Sequence, residues 1–522
     1  MYSQEDNLIK HSIGLGKVES ISDGICLISG LNDISIDSIV LFPSGCRGLI
    51  IDFSGDFCSS LVLGDFTTVK KGDYVRLVER QLTVPVGEEL LGRVIDPLGN
   101  ALDDKGKIFT KIQAGLENKE KTVFQRKNIS HQLQTGYFLI DSQIPIGCGQ
   151  RELFIGEKRI GIEETAVNIL VNQAINNTGV IVIYVTIGAQ SSFIKRMVDI
   201  ITEKDALKNT VIVVGRASDP APLNYLAPFF GVRLAEDLAE KGKNVLVIFD
   251  NLTRHARVYR QISLLLKHAP GREAYPGDIF YLHARLLERC GCFDDQVGGG
   301  SITAIPIVET VGEDITDYIT TNLMSITDGH VLFLRSLFHK DRRPAISVEY
   351  SVSRVGGKAQ SVIFRDLSNE LKIKIGRYNE LEALTSFGTE LQKETKMVIE
   401  RGKRIFSFIN QDNNANFTII EQSAIIYFLL SDYIMQWPAE IMLDLSNGFS
   451  KFISQPDNKN KLAEAFHQNS LELAKPIYEE ICKAFLNDPV TIRPLVREGG
   501  VANKESLQDL LKQMDKKDEI SK

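Results

Sequence analysis

A chain of 522 residues, 43% hydrophobic and 24% charged, has room for several domains and a large core. Lys+Arg 60 against Asp+Glu 67 leaves a net charge of −7, so no global basic field points to nucleic acid as a partner. No run approaches the roughly eighteen apolar residues of a membrane span, and the 7 scattered cysteines read as reduced thiols of a cytosolic protein, Cys290-Gly291-Cys292 being neither a CxxC pair nor a paired zinc-ligand pattern.

Met1 to His11 is polar and charged, with no apolar signal-peptide stretch. Residues 15 to 85 hold short β runs broken by turn residues: Cys26–Gly30, Ile39–Pro43, Gly48–Ile51 and Ser60–Gly64. Such close spacing predicts a small barrel. From about Val86 to Ser368, apolar strands alternate with helical patterns, which predicts a mostly parallel sheet covered by helices. Glu152–Ile155, Gly179–Val185 and Val245–Asp250 read as buried strands, and Glu164–Leu170 as a helix. Beyond that the text becomes helical, with Leu371, Ile375, Tyr378, Leu381 and Leu384 recurring on one apolar face. Ser423 to Leu430 is a short apolar run suited to the core, and the charged end Lys504 to Lys522 predicts a solvated helix or frayed tail.

The most informative stretch is Gly156-Glu157-Lys158-Arg159-Ile160-Gly161-Ile162-Glu163. Its glycines have the spacing of G-x-x-x-x-G-K-[ST], the loop in which backbone N–H groups cradle phosphates, Lys reaches the β/γ-phosphates and Ser/Thr holds Mg²⁺. Ile162 stands at the Lys position and Glu163 at the Ser/Thr position. A carboxylate facing a triphosphate replaces attraction by repulsion where water is scarce. Lys158 and Arg159 offer positive charge, but from inside the loop rather than from the start of its helix. Glycine spacing alone also fits an ordinary tight turn. The strand Val245–Phe249 ends in Asp250, the form of an acid that orders Mg²⁺ in phosphoryl-transfer sites. With no Ser/Thr to share the ion, a hydrogen-bonded carboxylate at a strand end is the competing reading. Arg354 lies in the small-residue loop Ser351–Gly357, which is suited to presenting a guanidinium. Taken by itself, it reads more readily as a structural arginine paired with a carboxylate.

Further motifs are long: Gln134–Gly136, Pro145–Glu152, Ala217–Leu223, Tyr259–Leu266, Pro270–Asp278 and Ser325–Gly329. With the loop, Asp250 and Arg354, they make the chain resemble the α subunits of rotary F-type ATP synthases from about Leu15 to Ser423. The resemblance implies a multi-domain fold: an N-terminal small β-barrel over 1–85, a central RecA-like α/β P-loop NTPase domain over 86–368, and a C-terminal helical domain over 369–522. It implies a ring in which this chain alternates with β subunits, with the γ central shaft, peripheral-stalk subunits and a membrane sector as further partners, on the cytoplasmic face of the membrane. ATP or ADP with Mg²⁺ would be the cofactors of the complex, held weakly or not at all by this chain's own loop. Arg354 would be the arginine finger acting in trans, and Asp250 the Mg²⁺ position.

Arg343, Pro344 and Gln411 match positions that the family uses near adenine, whereas Asn413 replaces a second glutamine. Ala189 stands where a catalytic relative has a Glu base and where the α subunits usually have Gln, and Asn251 stands where a second acid is usual. The short stretch before Gly14 and the short connection between Arg289 and Ser301 resemble the alternate, or N-type, ATPases that pump Na⁺ or H⁺. A non-catalytic ring subunit is the leading expectation. The alternatives are an orphan pseudo-subunit and a catalytic hexameric ATPase of secretion or Rho-like type, which would need Lys at position 162.

Overall fold

Residues 15 to 79 close into a barrel of six strands: β1 (Leu15–Ser22), β2 (Ile25–Ser29), β3 (Ile39–Leu41), β4 (Arg47–Ser54), β5 (Phe57–Leu63) and β6 (Tyr74–Glu79). Their order is β1-β2-β5-β4-β3-β6, with β1 and β6 paired antiparallel to complete the circle. The fold is that of a computed structural model, which describes residues 15–385, 392–411 and 416–488. Expectations placed on Met1–His11, the side chain of Leu384, Asn413 and Lys504–Lys522 lie outside the described residues. Alternate residues point inward, so Val18, Cys26, Ile28, Val40, Ile50, Val62 and Val75 form the barrel's core.

The α/β sheet contains β7 (Val94–Ile95), β8 (Glu152–Gly156), β9 (Val180–Ala189), β10 (Thr210–Arg216), β11 (Asn244–Asp250) and β12 (Ser301–Glu309). These run parallel in the order β8-β12-β11-β9-β10-β7. Helices follow β8 (Ile162–Ile175), β9 (Ser191–Glu203), β10 (Ala221–Glu240) and β11 (Leu252–Leu265). Covered on both faces, β8, β9 and β12 are buried nearly throughout, as parallel strands are. Register places Gly156 opposite Glu309 and Thr186 opposite Asp250. The carboxyl ends of β8, β12, β11 and β9 therefore share one edge of the sheet, the edge where ligands of such sheets bind.

Packing groups these elements into two compact units. Among the described residues, one holds those from Leu15 to Ile129 with Cys148–His330, and the other holds Ser130–Gly147 with those from Val331 to Asp488. The second contains helices Val362–Thr385, Lys393–Phe408, Ile419–Leu430, Met442–Ile453, Pro456–Phe466 and Leu471–Leu486. Leu371, Ile375 and Tyr378 are buried as their spacing predicts. Phe428, Phe449 and Phe485 form an aromatic core, with ring centroids 5.0 Å apart for the first pair and 4.9 Å for the second. A capping box starts Ile419–Leu430: Glu421 N–H donates to Thr418 Oγ1, and Thr418 N–H donates to Glu421 Oε2.

Several of the long sequence motifs turn out to be structural joints. In the first unit Arg151 grips Asp328 twice, Nε to Oδ2 at 3.1 Å and Nη2 to Oδ1 at 2.9 Å, joining the Pro145–Glu152 and Ser325–Gly329 motifs. Tyr259 donates to Asp278 at 2.6 Å, and Arg260 lies 4.7 Å over the Tyr275 ring. In the second unit the buried Asp141 carboxylate accepts from Thr135 N and Oγ1, both at 2.8 Å, and from Gly136 N at 3.0 Å. Gln422 Nε2 adds a fourth bond at 2.7 Å. Burial pushes the Asp141 carboxyl up to about 6 against the pull of these donors.

Candidate functional site

The sequence Gly156–Glu163 leaves β8 and turns into helix Ile162–Ile175. Gly161 makes that turn with φ +97°, a left-handed conformation that suits glycine. In a phosphate-binding loop, the first helical residues aim their N–H groups and the positive end of the helix dipole at the anion. Here the first turn carries its own acids, Glu163 and Glu164. Ile162, at the position of the phosphate-binding lysine, is buried at 2% exposure.

A cleft of about 500 Å³ opens beside this loop, lined among others by Lys158, Arg159, Glu163, Arg196, Asp250 and Arg254. Its floor is acidic. Asp250, fully buried at the end of β11, accepts a hydrogen bond from Tyr184 Oη at Oδ2 (3.0 Å), while its Oδ1 has no partner. Burial raises the Asp250 carboxyl to about 6, with Arg254 pulling it the other way. Glu163 rises to about 7, first through burial and then through the neighbouring Asp250 charge. Glu163 and Asp250 thus resist ionising together.

The cations around the cleft are partly committed. Glu309, at the end of β12, accepts from Asn251 Nδ2 at 2.6 Å and from Arg254 Nη2 at 2.6 Å, both at Oε1. Lys158 Nζ stands 3.1 Å from its Oε2, an ion-pair contact rather than a well-aligned hydrogen bond. Burial acts to raise Glu309, but Arg254 and Lys158 hold it below the usual carboxylate range. Arg196 faces Glu164 at 3.8 Å. Glu157 is buried and Arg159 exposed on the loop, Arg159 with φ +64°. Ile160 is buried at 3% exposure.

Arg254, Glu309 and Tyr184 are site residues that the sequence reading did not single out. Arg254 had a signal, since it lies one helical turn after Asp250 in the helix that begins at Leu252. Glu309 is brought to the loop only by the pairing of β8 with β12. Ala189 ends β9 fully buried and offers no side-chain base.

In the second unit, Arg343 and Gln411 meet: Gln411 N–H donates to Arg343 O at 2.8 Å. The Gln411 carboxamide accepts from Phe138 N at 2.7 Å and donates to Gly136 O at 2.9 Å. Arg343 lies 3.8 Å over the Phe338 ring and donates from Nη1 to Phe338 O at 2.8 Å. Pro344 O accepts from Ile346 N at 2.8 Å. Arg354 is exposed on a firmly seated loop. Ser353 Oγ donates to Pro145 O at 2.6 Å, and Gly356 N–H donates to Ser353 Oγ at 3.2 Å. A Cβ on Gly356 would lie 1.6 Å from Pro145 O, so only glycine fits that seat.

A glycine-bounded loop between a buried parallel strand and a helix, with an acid ending a nearby strand, defines the P-loop class of nucleotide-binding domains. Residues 136–353 match the ATP synthase alpha/beta family, nucleotide-binding domain, and residues 360–486 match the ATP synthase alpha/beta chain, C terminal domain. The "ATP synthase subunit alpha" of Macrococcus caseolyticus is 40% identical over 471 residues, 90% of this chain and 93% of that protein. Proteins of the same description from Metamycoplasma arthritidis and Staphylococcus aureus are each 43% identical, the former covering 79% of this chain and 78% of its own length, the latter 81% and 84%. The chain belongs to the ATP synthase alpha/beta family, on its alpha-subunit branch.

Proposed function

We propose that this chain is a non-catalytic ring subunit of a rotary F-type ATPase, alternating with a β subunit and lending Arg354 to the β subunit's catalytic site. One observation carries the reading. The chain's own phosphate loop ends in buried Ile162 and in Glu163 beside Asp250, whereas the Arg354 loop is held in place on Pro145. A loop that repels phosphate, in a chain that keeps a well-built guanidinium mount, makes sense when another subunit supplies the working loop.

In this reading ATP or ADP with Mg²⁺ turns over at the β sites, and this chain's own site holds nucleotide weakly or not at all. The remaining partners are the γ shaft, the peripheral stalk and a membrane sector on the cytoplasmic face of the membrane, moving H⁺ or Na⁺. Neither a channel nor a spanning helix is needed from this chain, and none of its described helices is long and apolar enough to cross a membrane.

Co-expression with a β subunit tests the assignment. Native mass spectrometry should show a mixed hexamer of three and three, and this chain alone should show negligible ATPase activity. In the assembled ring, Arg354→Ala should lower steady-state hydrolysis by about 10³-fold or more, the scale of arginine-finger effects. Arg354→Lys should recover little, because an ammonium lacks the planar fork. A homohexamer that hydrolyses ATP unaided would overturn the proposal, as would near-normal turnover in the assembled Arg354→Ala ring.

A further inference from the structure

We infer that Glu309 is a built-in counter-anion of the altered phosphate loop, holding loop and neighbouring cations where a phosphate would otherwise hold them. This rests on the reading of the loop as a site without useful nucleotide affinity, and goes beyond it by naming what keeps the loop ordered instead.

Register sets Glu309 opposite Gly156, and Thr310 N–H donates to Gly156 O at 2.9 Å, so the Glu309 side chain emerges directly beside the first loop residue. Its side chain is only 5% exposed, and a carboxylate so placed needs close partners. It has three from three segments: Lys158 of the loop, Asn251 just after β11, and Arg254 from the helix that follows. Thr253 Oγ1 accepts from Glu309 N at 3.0 Å, fixing the backbone from which the carboxylate projects.

Lys158 stands in the loop just after Gly156 and Glu157, and its contact with Glu309 directs it to the protein rather than to a ligand. Arg254 also faces Asp250 and Glu163, so its single charge offsets three acids. The usual logic of the loop is thereby reversed. Where a lysine and the helix N-terminus gather around an incoming anion, here the anion is a side chain of the same polypeptide. Glu309 thus determines ligand specificity by occupying the cations that a polyphosphate would need.

Calorimetric titration of the full chain with inorganic tripolyphosphate tests this. Wild-type chain should bind it weakly, with an affinity that sets the reference. Glu309→Gln keeps the shape, releases Lys158 and Arg254, and should bind tripolyphosphate about tenfold or more tightly than wild type, the gain of about one charge-assisted contact. Adding Lys158→Met to that variant should remove most of the gain. A folded Glu309→Gln chain with wild-type affinity overturns the inference while leaving the proposed function intact. Tight binding of MgATP by the wild-type chain defeats the pseudo-site reading itself, and this inference with it. Should Glu309→Gln fail to fold, amine acylation of the wild-type chain read by mass spectrometry decides: Lys158 should react several-fold more slowly than Lys195, which is also exposed. Equal rates overturn the inference.

Discussion

Replacing Glu163 by Gln should stabilise this chain at alkaline pH and leave it unchanged in acid. The Glu163 carboxyl moves from 4.5 to about 7 on folding because burial and the Asp250 charge both favour its protonated form. An acid that binds its proton more tightly in the folded chain weakens the fold as it ionises. The favourable contribution is complete below 4.5, is lost as pH rises through about 7, and stays lost above. At about 1.4 kcal/mol per pK unit the shift corresponds to about 3 kcal/mol, and residual exposure of Glu163 lowers the usable figure to about 1–3 kcal/mol. Gln is neutral at every pH and similar in shape, so it removes that penalty. The facing groups are Asp250, Glu164 and Arg254, with Tyr184 and Glu309 behind Asp250, and all of them are kept in the variant.

The assay must report on the first unit. The single tryptophan, Trp437, lies in the second, so its fluorescence is the wrong probe. Hydrogen exchange of peptides spanning Ile162–Ile175, expressed as protection factors, reads the opening of the helix that carries Glu163. Glu163→Gln should raise protection at pH 8 by about tenfold or more, and by less than about twofold at pH 4. Equal gains at both values, or none at pH 8, would refute the claim that Glu163 and Asp250 share a buried, proton-holding floor.

Ile162→Lys with Glu163→Thr should restore MgATP binding, seen calorimetrically as an affinity at least about tenfold above wild type. Arg151→Ala should cost about 3 kcal/mol, because it leaves Asp328 without its half-buried partner; resistance to limited proteolysis at Ser325–Gly329 would report the loss. His255 and His283 are buried against each other, Nδ1 to Nε2 at 3.3 Å, and burial pushes His255 down to about 4. Both must be neutral in the fold, so stability is intact above 6.5 and falls as pH drops through about 4. His255→Gln should reduce that acid sensitivity in a pH series of proteolysis.

The sequence was most legible where burial is two-sided. β9, β11 and the helix after the loop stand out as apolar runs, and their alternation gives the parallel sheet. The barrel was legible in its middle strands only. β1 and β6 carry Lys17, Glu19, Arg76 and Glu79 on their outer faces, so half of each strand reads as loop. In the site, the losses at 162 and 163 are visible because a motif fixes what should stand there. Lys158 and Glu309 lie 151 positions apart (309 − 158), and only strand pairing reveals that they meet. The same holds for Gln411 with Gly136 and for Arg151 with Asp328.

Those contacts also separate what the motifs do for folding from what they do for chemistry. Arg151, Asp328, Asp141, Gln411, Ser353 and Gly356 each complete a buried or close-packed joint, and removing any of them leaves a polar group unsatisfied or a clash. The positions that would touch phosphate carry no such burden. Ile162 adds apolar burial, and Glu163 and Glu164 lie near the positive end of their own helix. In the proposed function, a chain of this fold does without phosphate chemistry while keeping its architecture, provided the cations of the loop find an internal partner. Glu309 supplies one, and the Arg354 loop is seated on Pro145 within the second unit, by bonds that involve none of the altered residues.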